Sequence, residues 1–184
     1  MKQIIQHDSL TPFPLLDKSV DCVITDPPYD FTEEQKSFVQ AEMLRVCKGD
    51  IIVFSPPENQ WVFPGLTRYM FWIKPTSTKN YSKNYGRFVE MIFLYKRTPH
   101  WPTDLHWSNY TGVFHDTINK QVHPHQKPAS LLGRFVTLHS KIGEIVLDPF
   151  SGSGSTLLAA NDLSRQAIGF EKNPDWIKHL NAQG

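Results

Sequence analysis

The chain has 184 residues, 40% hydrophobic, 12% aromatic and 20% charged, a balance that points to one folded domain and excludes a largely disordered chain. Its 19 Lys and Arg against 18 Asp and Glu leave a net charge of +1, so bulk charge by itself indicates no polyanionic partner. Two cysteines cannot build a disulfide framework, no apolar run nears the roughly 20 residues that span a bilayer, and the opening MKQIIQHDSL lacks a signal peptide's apolar stretch; the expectation is a cytoplasmic protein with no membrane partner and with Cys22 and Cys47 as reduced core thiols.

In chain order, Lys2–His7 reads as a short strand, and Val20–Thr25 (VDCVIT) as a β-branched strand that stops at Pro27-Pro28. Thr32 followed by Glu34 and Gln35 resembles a capped helix start, after which Phe38, Val39, Met43, Leu44 and Val46 keep helical spacing until Gly49. Ile51–Ser55 (IIVFS) reads as a buried strand, Asn59 to about Tyr69 as a helix, and Met70–Lys74 and Arg87–Tyr95 as further strands. Thr98–Val122 carries prolines, aromatics and histidines without a period and reads as an irregular surface segment. A helix from about Pro128 to Ser140, a strand Ile145–Asp148, a helix from Ser155 to about Leu163, a strand Ala167–Glu171 and a last helix from about Pro174 complete the chain. This alternation predicts a mostly parallel α/β sheet, whose ligands bind beyond the carboxyl ends of the strands.

Two of those strand ends carry chemistry. Asp26-Pro27-Pro28-Tyr29 combines a carboxylate at a strand end, two prolines whose carbonyls are acceptors on a stiff backbone, and a planar ring. Such a set suits a planar amine, whose two N–H groups need two acceptors and whose ring needs a face to stack on. Asp148-Pro149-Phe150-Ser151-Gly152-Ser153-Gly154-Ser155-Thr156 runs from a strand through small residues into a helix, which lets a ligand approach the backbone at a helix N-terminus. It lacks the third glycine of the dinucleotide fingerprint, the lysine of the phosphate loop and the Gly-x-Ser-x-Gly order of the hydrolase elbow. Glu171, at the end of the following strand, adds an acid suited to two ribose hydroxyls, and a nucleoside-type pocket is what remains.

Other features carry weaker signals. Between Trp72 and Arg97 the basic residues Lys74, Lys79, Lys83, Arg87, Lys96 and Arg97 meet a single acid, Glu90, and are interleaved with Tyr81, Tyr85, Phe88, Phe93 and Tyr95. That pattern fits a groove that tracks phosphates and stacks bases, and equally a solvated face over an aromatic strand. His115, His123, His125 and His139 have no paired cysteines and no metal-ligand spacing, so no metal site is expected. Ser55-Pro56-Pro57-Glu58 also follows a strand, but Glu58 stands where a stacking ring would be needed, and the segment reads as a helix lead-in.

DPPY at 26–29, HPHQKP at 123–128, DPFSGSG at 148–154 and GFEK at 169–172, in that order, resemble the β-group of S-adenosylmethionine-dependent DNA amino-methyltransferases, from about Gln6 to about Lys178. The resemblance implies a Rossmann-like methyltransferase fold: one domain over 1–184 with a mostly parallel seven-stranded sheet, circularly permuted so that the catalytic motif precedes the cofactor motif. It also implies S-adenosylmethionine as cofactor, S-adenosylhomocysteine as product, and no metal. By the same resemblance Asp26, Pro27, Pro28 and Tyr29 are catalytic. Asp8, Lys127, Pro128, Asp148, Pro149, Phe150, Ser151, Gly152, Ser153, Gly154, Thr156, Glu171 and Lys172 are then the cofactor-binding residues, although a glycine is more usual where His7 stands. Lys127-Pro128 match the methionine-side cofactor motif, and Lys74, Lys79, Lys83 and Arg87 are the candidate DNA contacts.

The implied activity is methylation of the exocyclic N6 of adenine in double-stranded DNA, with the base flipped out onto Tyr29. DPPY resembles the adenine enzymes more often, but the same four letters serve some cytosine enzymes, so cytosine N4 is the alternative; an RNA or protein methyltransferase and a non-catalytic cofactor-binding subunit are the other classes. Only the short segment 98–122 stands where such enzymes carry a sizeable target-recognition region. Low specificity, a homodimer or a specificity partner is therefore expected, in a bacterial or phage-encoded enzyme.

Overall fold

The computed structural model describes residues 1–65, 68–74, 88–95, 111–117 and 127–182. In chain order these form β1 (Lys2–Gln6), β2 (Val20–Thr25), α1 (Glu33–Val46), β3 (Cys47–Ser55), β4 (Arg68–Ile73), β5 (Val89–Tyr95), β6 (Val113–Phe114), α2 (Ala129–His139), β7 (Ile145–Asp148), α3 (Ser155–Asp162), β8 (Gln166–Glu171) and α4 (Pro174–Ala182). The strands make one sheet in the order β1-β8-β7-β2-β3-β5-β4-β6. Pairing is parallel from β1 through β3 and antiparallel on both sides of β5, so among the described strands β5 alone runs against the rest. The sheet is thus mostly parallel, as expected, with eight strands where seven were expected; β6, a two-residue strand on β4, lies inside the segment read as irregular. β1 lies outside β8, so a strand that follows β8 in space precedes it in the chain, which is the order a circular permutation produces.

The central strands are covered on both faces, which is why VDCVIT and IIVFS read as nearly continuous apolar runs. On one face α1 sets Val39, Met43 and Val46 against Val23, Ile51, Val53 and Leu147. On the other, α2 and α3 set Leu132, Phe135, Val136, Leu157 and Ala160 against Ile24, Ile52, Phe54 and Trp72. Cys22 and Cys47 are buried within these two layers and form no disulfide.

Three sequence expectations are corrected here. α1 starts as expected, with a capping box in which Thr32 Oγ1 accepts from the Gln35 N–H at 3.3 Å and Gln35 Oε1 accepts from the Thr32 N–H at 2.9 Å. It ends before Gly49, however: Cys47 turns to extended backbone, the Lys18 ammonium bonds the Leu44 and Cys47 carbonyls, and Gly49 lies within β3. No helix covers 59–69 among the described residues. Trp61 and Phe63 are buried while Val62 between them is half exposed, a two-residue period, and Gly65 turns at φ 79° before β4 begins at Arg68. The Ser55-Pro56-Pro57-Glu58 segment is accordingly a turn and no helix lead-in, closed by the Asn59 N–H on the Pro56 carbonyl at 3.0 Å.

Candidate active site

Because β1, β2, β7 and β8 run parallel, the loops after them meet at one edge of the sheet. There they enclose a cavity of about 650 Å³. After β1 it is lined by His7, Asp8, Ser9 and Leu10; after β2 by Asp26 to Phe31; after β7 by Pro149, Phe150 and Gly152; and from β8 into α4 by Phe170, Glu171, Lys172, Asn173 and Trp176. The two chemically loaded strand ends, distant in sequence, thus open into one space.

Asp26 is braced at both oxygens. Tyr29 Oη donates to its Oδ1 at 3.1 Å, and Lys127 Nζ donates to its Oδ2 at 2.5 Å. The same ammonium stands 3.1 Å from Glu90 Oε2, on β5, and donates to Tyr29 Oη at 3.3 Å. Burial pushes the Asp26 carboxyl above the ordinary range against the pull of Lys127, with Glu90 adding to the rise. Burial works against the Lys127 charge too, but Asp26 and Glu90 outweigh it and its proton is held more tightly than a free lysine's. Tyr29 keeps its phenolic proton because burial and the Asp26 charge both push its pKa up. Asn59 Nδ2 donates to the Tyr29 carbonyl at 2.6 Å, so the turn after β3 holds the loop after β2 from outside the cavity.

On the other side of the cavity, Glu171 takes the Gly152 N–H on Oε2 at 3.0 Å and the Asn173 N–H on Oε1 at 2.8 Å. A carboxylate oxygen accepts more than one donor, so acceptor capacity remains on both. Ser9 Oγ donates to the Pro149 carbonyl at 2.5 Å and ties the loop after β1 to the loop after β7. Asp8 Oδ1 closes its own turn on the Leu10 N–H at 3.0 Å. Phe150 meets Phe31 edge to face at 5.5 Å.

The sequence-derived cofactor set divides on this geometry. Asp8, Pro149, Phe150, Gly152, Glu171 and Lys172 line the cavity, whereas Lys127, Pro128, Asp148, Ser151, Ser153, Gly154 and Thr156 do not. Asp148 instead locks β7 to β2: its Oδ1 accepts from Thr25 Oγ1 at 2.7 Å and from the Phe150 N–H at 3.0 Å, and burial raises its pKa to about 6. Ser151 Oγ donates to the Phe170 carbonyl at 2.9 Å, and the Ser153 and Ser155 hydroxyls pair at 3.0 Å. Gly154, at φ 77°, leaves room for α4, since a Cβ there would stand 2.2 Å from Leu180 Cδ2. Gly152, at φ 46°, has no non-neighbouring atom within 3.9 Å of its missing Cβ other than the Phe150 carbonyl at that distance, and faces the cavity.

Lys74, read from composition as a DNA contact, turns inward: its ammonium bonds Glu90 and lies 5.1 Å over the Trp72 ring. Lys79, Lys83 and Arg87 lie outside the described residues, as do His123 and His125. His139 bonds the buried Asp50 carboxylate at 2.8 Å, and among the described residues no group of His, Cys, Asp or Glu is arranged to hold a metal. Sequence reasoning missed Phe31, Phe170 and Trp176 as lining residues. Phe31 was marked only by its place just past DPPY, and Trp176 falls in the first turn of the last helix, where no motif marked it.

A family model described as DNA methylase, of the N6/N4 methyltransferase type, matches residues 51–182. Among curated proteins, the type II methyltransferase M.HindIII of Haemophilus influenzae is 48% identical over 69 residues, which span 38% of this chain and 22% of that protein. The DNA adenine methyltransferase YhdJ of Escherichia coli is 25% identical over 237 aligned positions, covering 96% of this chain and 80% of that one. That alignment is longer than this chain, so the relative carries insertions with respect to it. Among solved structures, M1.HpyAVI in its SAM complex superposes with a TM-score of 0.74 at 25% identity over the whole of both chains. The cytosine-N4-specific PvuII DNA methyltransferase shares the fold, with a TM-score of 0.73 at 16% identity over 98% of this chain and 85% of that one.

Proposed function

The chain belongs to the DNA methylase family of the N6/N4 type, and on that premise we propose that it transfers a methyl group from S-adenosylmethionine to the exocyclic N6 of adenine in double-stranded DNA. The observation that carries the reading is a single cavity that holds the Asp26-Pro27-Pro28-Tyr29 acceptors beside the Gly152 backbone and the Glu171 carboxylate. The fit of the cofactor is supported by the open space above Gly152, by the acceptor capacity left on Glu171 and by a volume suited to a nucleoside-sized ligand. When bound, S-adenosylmethionine supplies an electrophilic methyl group on a sulfonium and leaves as S-adenosylhomocysteine.

The chain's own residues supply position. An exocyclic amine is a poor nucleophile because its lone pair is delocalised into the ring. The Asp26 carboxylate and the Pro27 carbonyl accept its two N–H groups, draw the nitrogen toward tetrahedral geometry and localise that pair. Tyr29 offers the face on which the flipped base stacks, and its hydroxyl keeps Asp26 oriented. Pro149 and Phe150 wall the cofactor side, with Asp8, Gly152, Glu171 and Lys172 at its polar contacts. No step calls for a metal.

We read the chain as one methyltransferase domain in which 98–122 stands in place of a target-recognition region, and so as an enzyme of short or loose site preference, alone or with a second copy or a specificity partner. Adenine is favoured over cytosine by DPPY and by the similarity to an adenine methyltransferase along 96% of the chain. The test is to incubate the protein with duplex DNA free of amino-methylated bases and S-adenosylmethionine, digest to nucleosides and identify the product by mass spectrometry. N6-methyladenine is expected; N4-methylcytosine would move the assignment to cytosine, and no methylated nucleoside despite intact cofactor binding would overturn a DNA substrate.

A further inference from the structure

From Asp26 on the cavity wall a row of largely buried charges runs inward, and its other members, Lys127, Glu90 and Lys74, are not used by the methyl-transfer reading. Lys127 Nζ is shared between Asp26 Oδ2 at 2.5 Å and Glu90 Oε2 at 3.1 Å, and Glu90 in turn bonds the Lys74 ammonium. The side chains keep only 18% of their exposure at Asp26, 5% at Lys127, 7% at Glu90 and 14% at Lys74. Along the row the charges alternate, carboxylate, ammonium, carboxylate, ammonium, so the set is neutral as a whole. Burying ion pairs of this kind contributes little net stability, because desolvation offsets their attraction; what they fix is geometry.

The geometry has a direction. Lysine ends in a compact charge on a flexible four-carbon stem, and one carboxylate partner would leave it free to swing. Glu90 gives it a second carboxylate at 3.1 Å, and the rings of Phe54, Tyr29 and Trp72 lie 5.6, 5.9 and 6.0 Å from it. Glu90 itself cannot turn away without leaving Lys74 unpaired in a largely buried site. It sits on the antiparallel strand β5 and Lys74 just past β4, and neither lines the cavity. We propose that Glu90, anchored by Lys74, is a positioning residue for methyl transfer: it fixes Lys127, and Lys127 fixes the Asp26 carboxylate in the orientation that accepts the target amine.

The inference rests on the reading of Asp26 as the amine acceptor, and the experiment separates the two. Glu90→Gln keeps shape and removes charge. Transfer to duplex DNA free of amino-methylated bases is measured with saturating S-adenosylmethionine, together with the Kd of the cofactor and the pH profile of kcat. The expected result is a fall in kcat of about 10- to 100-fold, the size that small misplacements of reacting groups produce, with Kd within about threefold. The groups that face Asp26 are Lys127, Tyr29, Glu90 and, from β7, Asp148. Losing the Glu90 charge removes one that opposes ionisation of Asp26, so the acid limb of kcat moves to lower pH. A merely structural Glu90 leaves that limb in place.

If Glu90→Gln is poorly folded, the double variant Glu90→Gln with Lys74→Gln restores charge balance and is expected to show the same loss of kcat with a recovered Tm. Unchanged kcat with an unmoved acid limb overturns the proposal, and so does a Kd that weakens as much as kcat falls, because Lys127 would then serve the cofactor. Asp26→Asn is run in parallel. If it retains full transfer, the acceptor reading itself fails; if it abolishes transfer while Glu90→Gln does nothing, only the positioning role is lost.

Discussion

Asp148 shows how one residue of a motif read from sequence as cofactor-binding can be occupied with holding the sheet together. It bridges β7 and β2 from beneath the cavity, and burial raises its pKa from an ordinary 3.8 to about 6. A folded-state pKa above the unfolded one means the fold favours the protonated form. The stabilising contribution is therefore complete below about pH 4 and is lost as pH rises through about 6. The Thr25 hydroxyl and the Phe150 N–H both meet Oδ1, so an asparagine oxygen can replace it there. Asp148→Asn should then flatten the pH dependence of stability between about pH 4 and 6 and remove a loss of up to about 3 kcal/mol at neutral pH. Urea denaturation at a series of pH values checks this; an unchanged slope for the variant would contradict it. The place of Asp26 at the cavity was legible because DPPY is local, four consecutive residues with acceptors and a ring at a strand end. The partners of Asp26 and Asp148 were not, since Lys127 and Thr25 lie 101 and 123 residues away from them.

Between elements, the two glycines of the loop before α3 were read alike and serve different neighbours. Gly152 borders the cavity; Gly154 makes room for Leu180 of α4. Gly154→Ala should lower stability by roughly 1–3 kcal/mol through its left-handed backbone and the overlap with Leu180, and cofactor affinity should suffer only as α4 loosens. Gly152→Ala should weaken cofactor binding while changing stability less. Tm and the Kd of S-adenosylmethionine, measured on both variants, check the contrast, and the reverse order of damage would contradict it. Local signals served well where they were strong: the Thr32–Gln35 capping box marks the start of α1, and the β-branched run marks both ends of β2, to the residue. They failed at 59–69, where Trp61, Val62 and Phe63 are too short a stretch to separate a period of two from one of 3.6.

At the scale of the molecule, alternating strands and helices sufficed to foresee a mostly parallel sheet with a cavity at the carboxyl ends of its strands. Neighbour relations were not in that alternation. That β1 lies against β8 and that β5 reverses followed from resemblance or only from the structure. Nor does any local pattern reveal that α2 carries His139 to Asp50 on β3, or that β5 brings Glu90 to the back of the site, because those encounters depend on which faces the packed layers bring together. On the function proposed, the arrangement places an amine acceptor and a nucleoside-type pocket in one cavity while keeping them on different strands. Their contributions should therefore separate. The direct measurement is single-turnover methyl transfer to duplex DNA by Asp26→Ala beside the Kd of S-adenosylmethionine for the same variant. Lys127 keeps Glu90 as a partner when Asp26 is removed, so the variant should fold. Transfer is expected to fall by about 1,000-fold with Kd within about threefold of the parent; full transfer in the variant would contradict the assignment of this cavity as the methyl-transfer site.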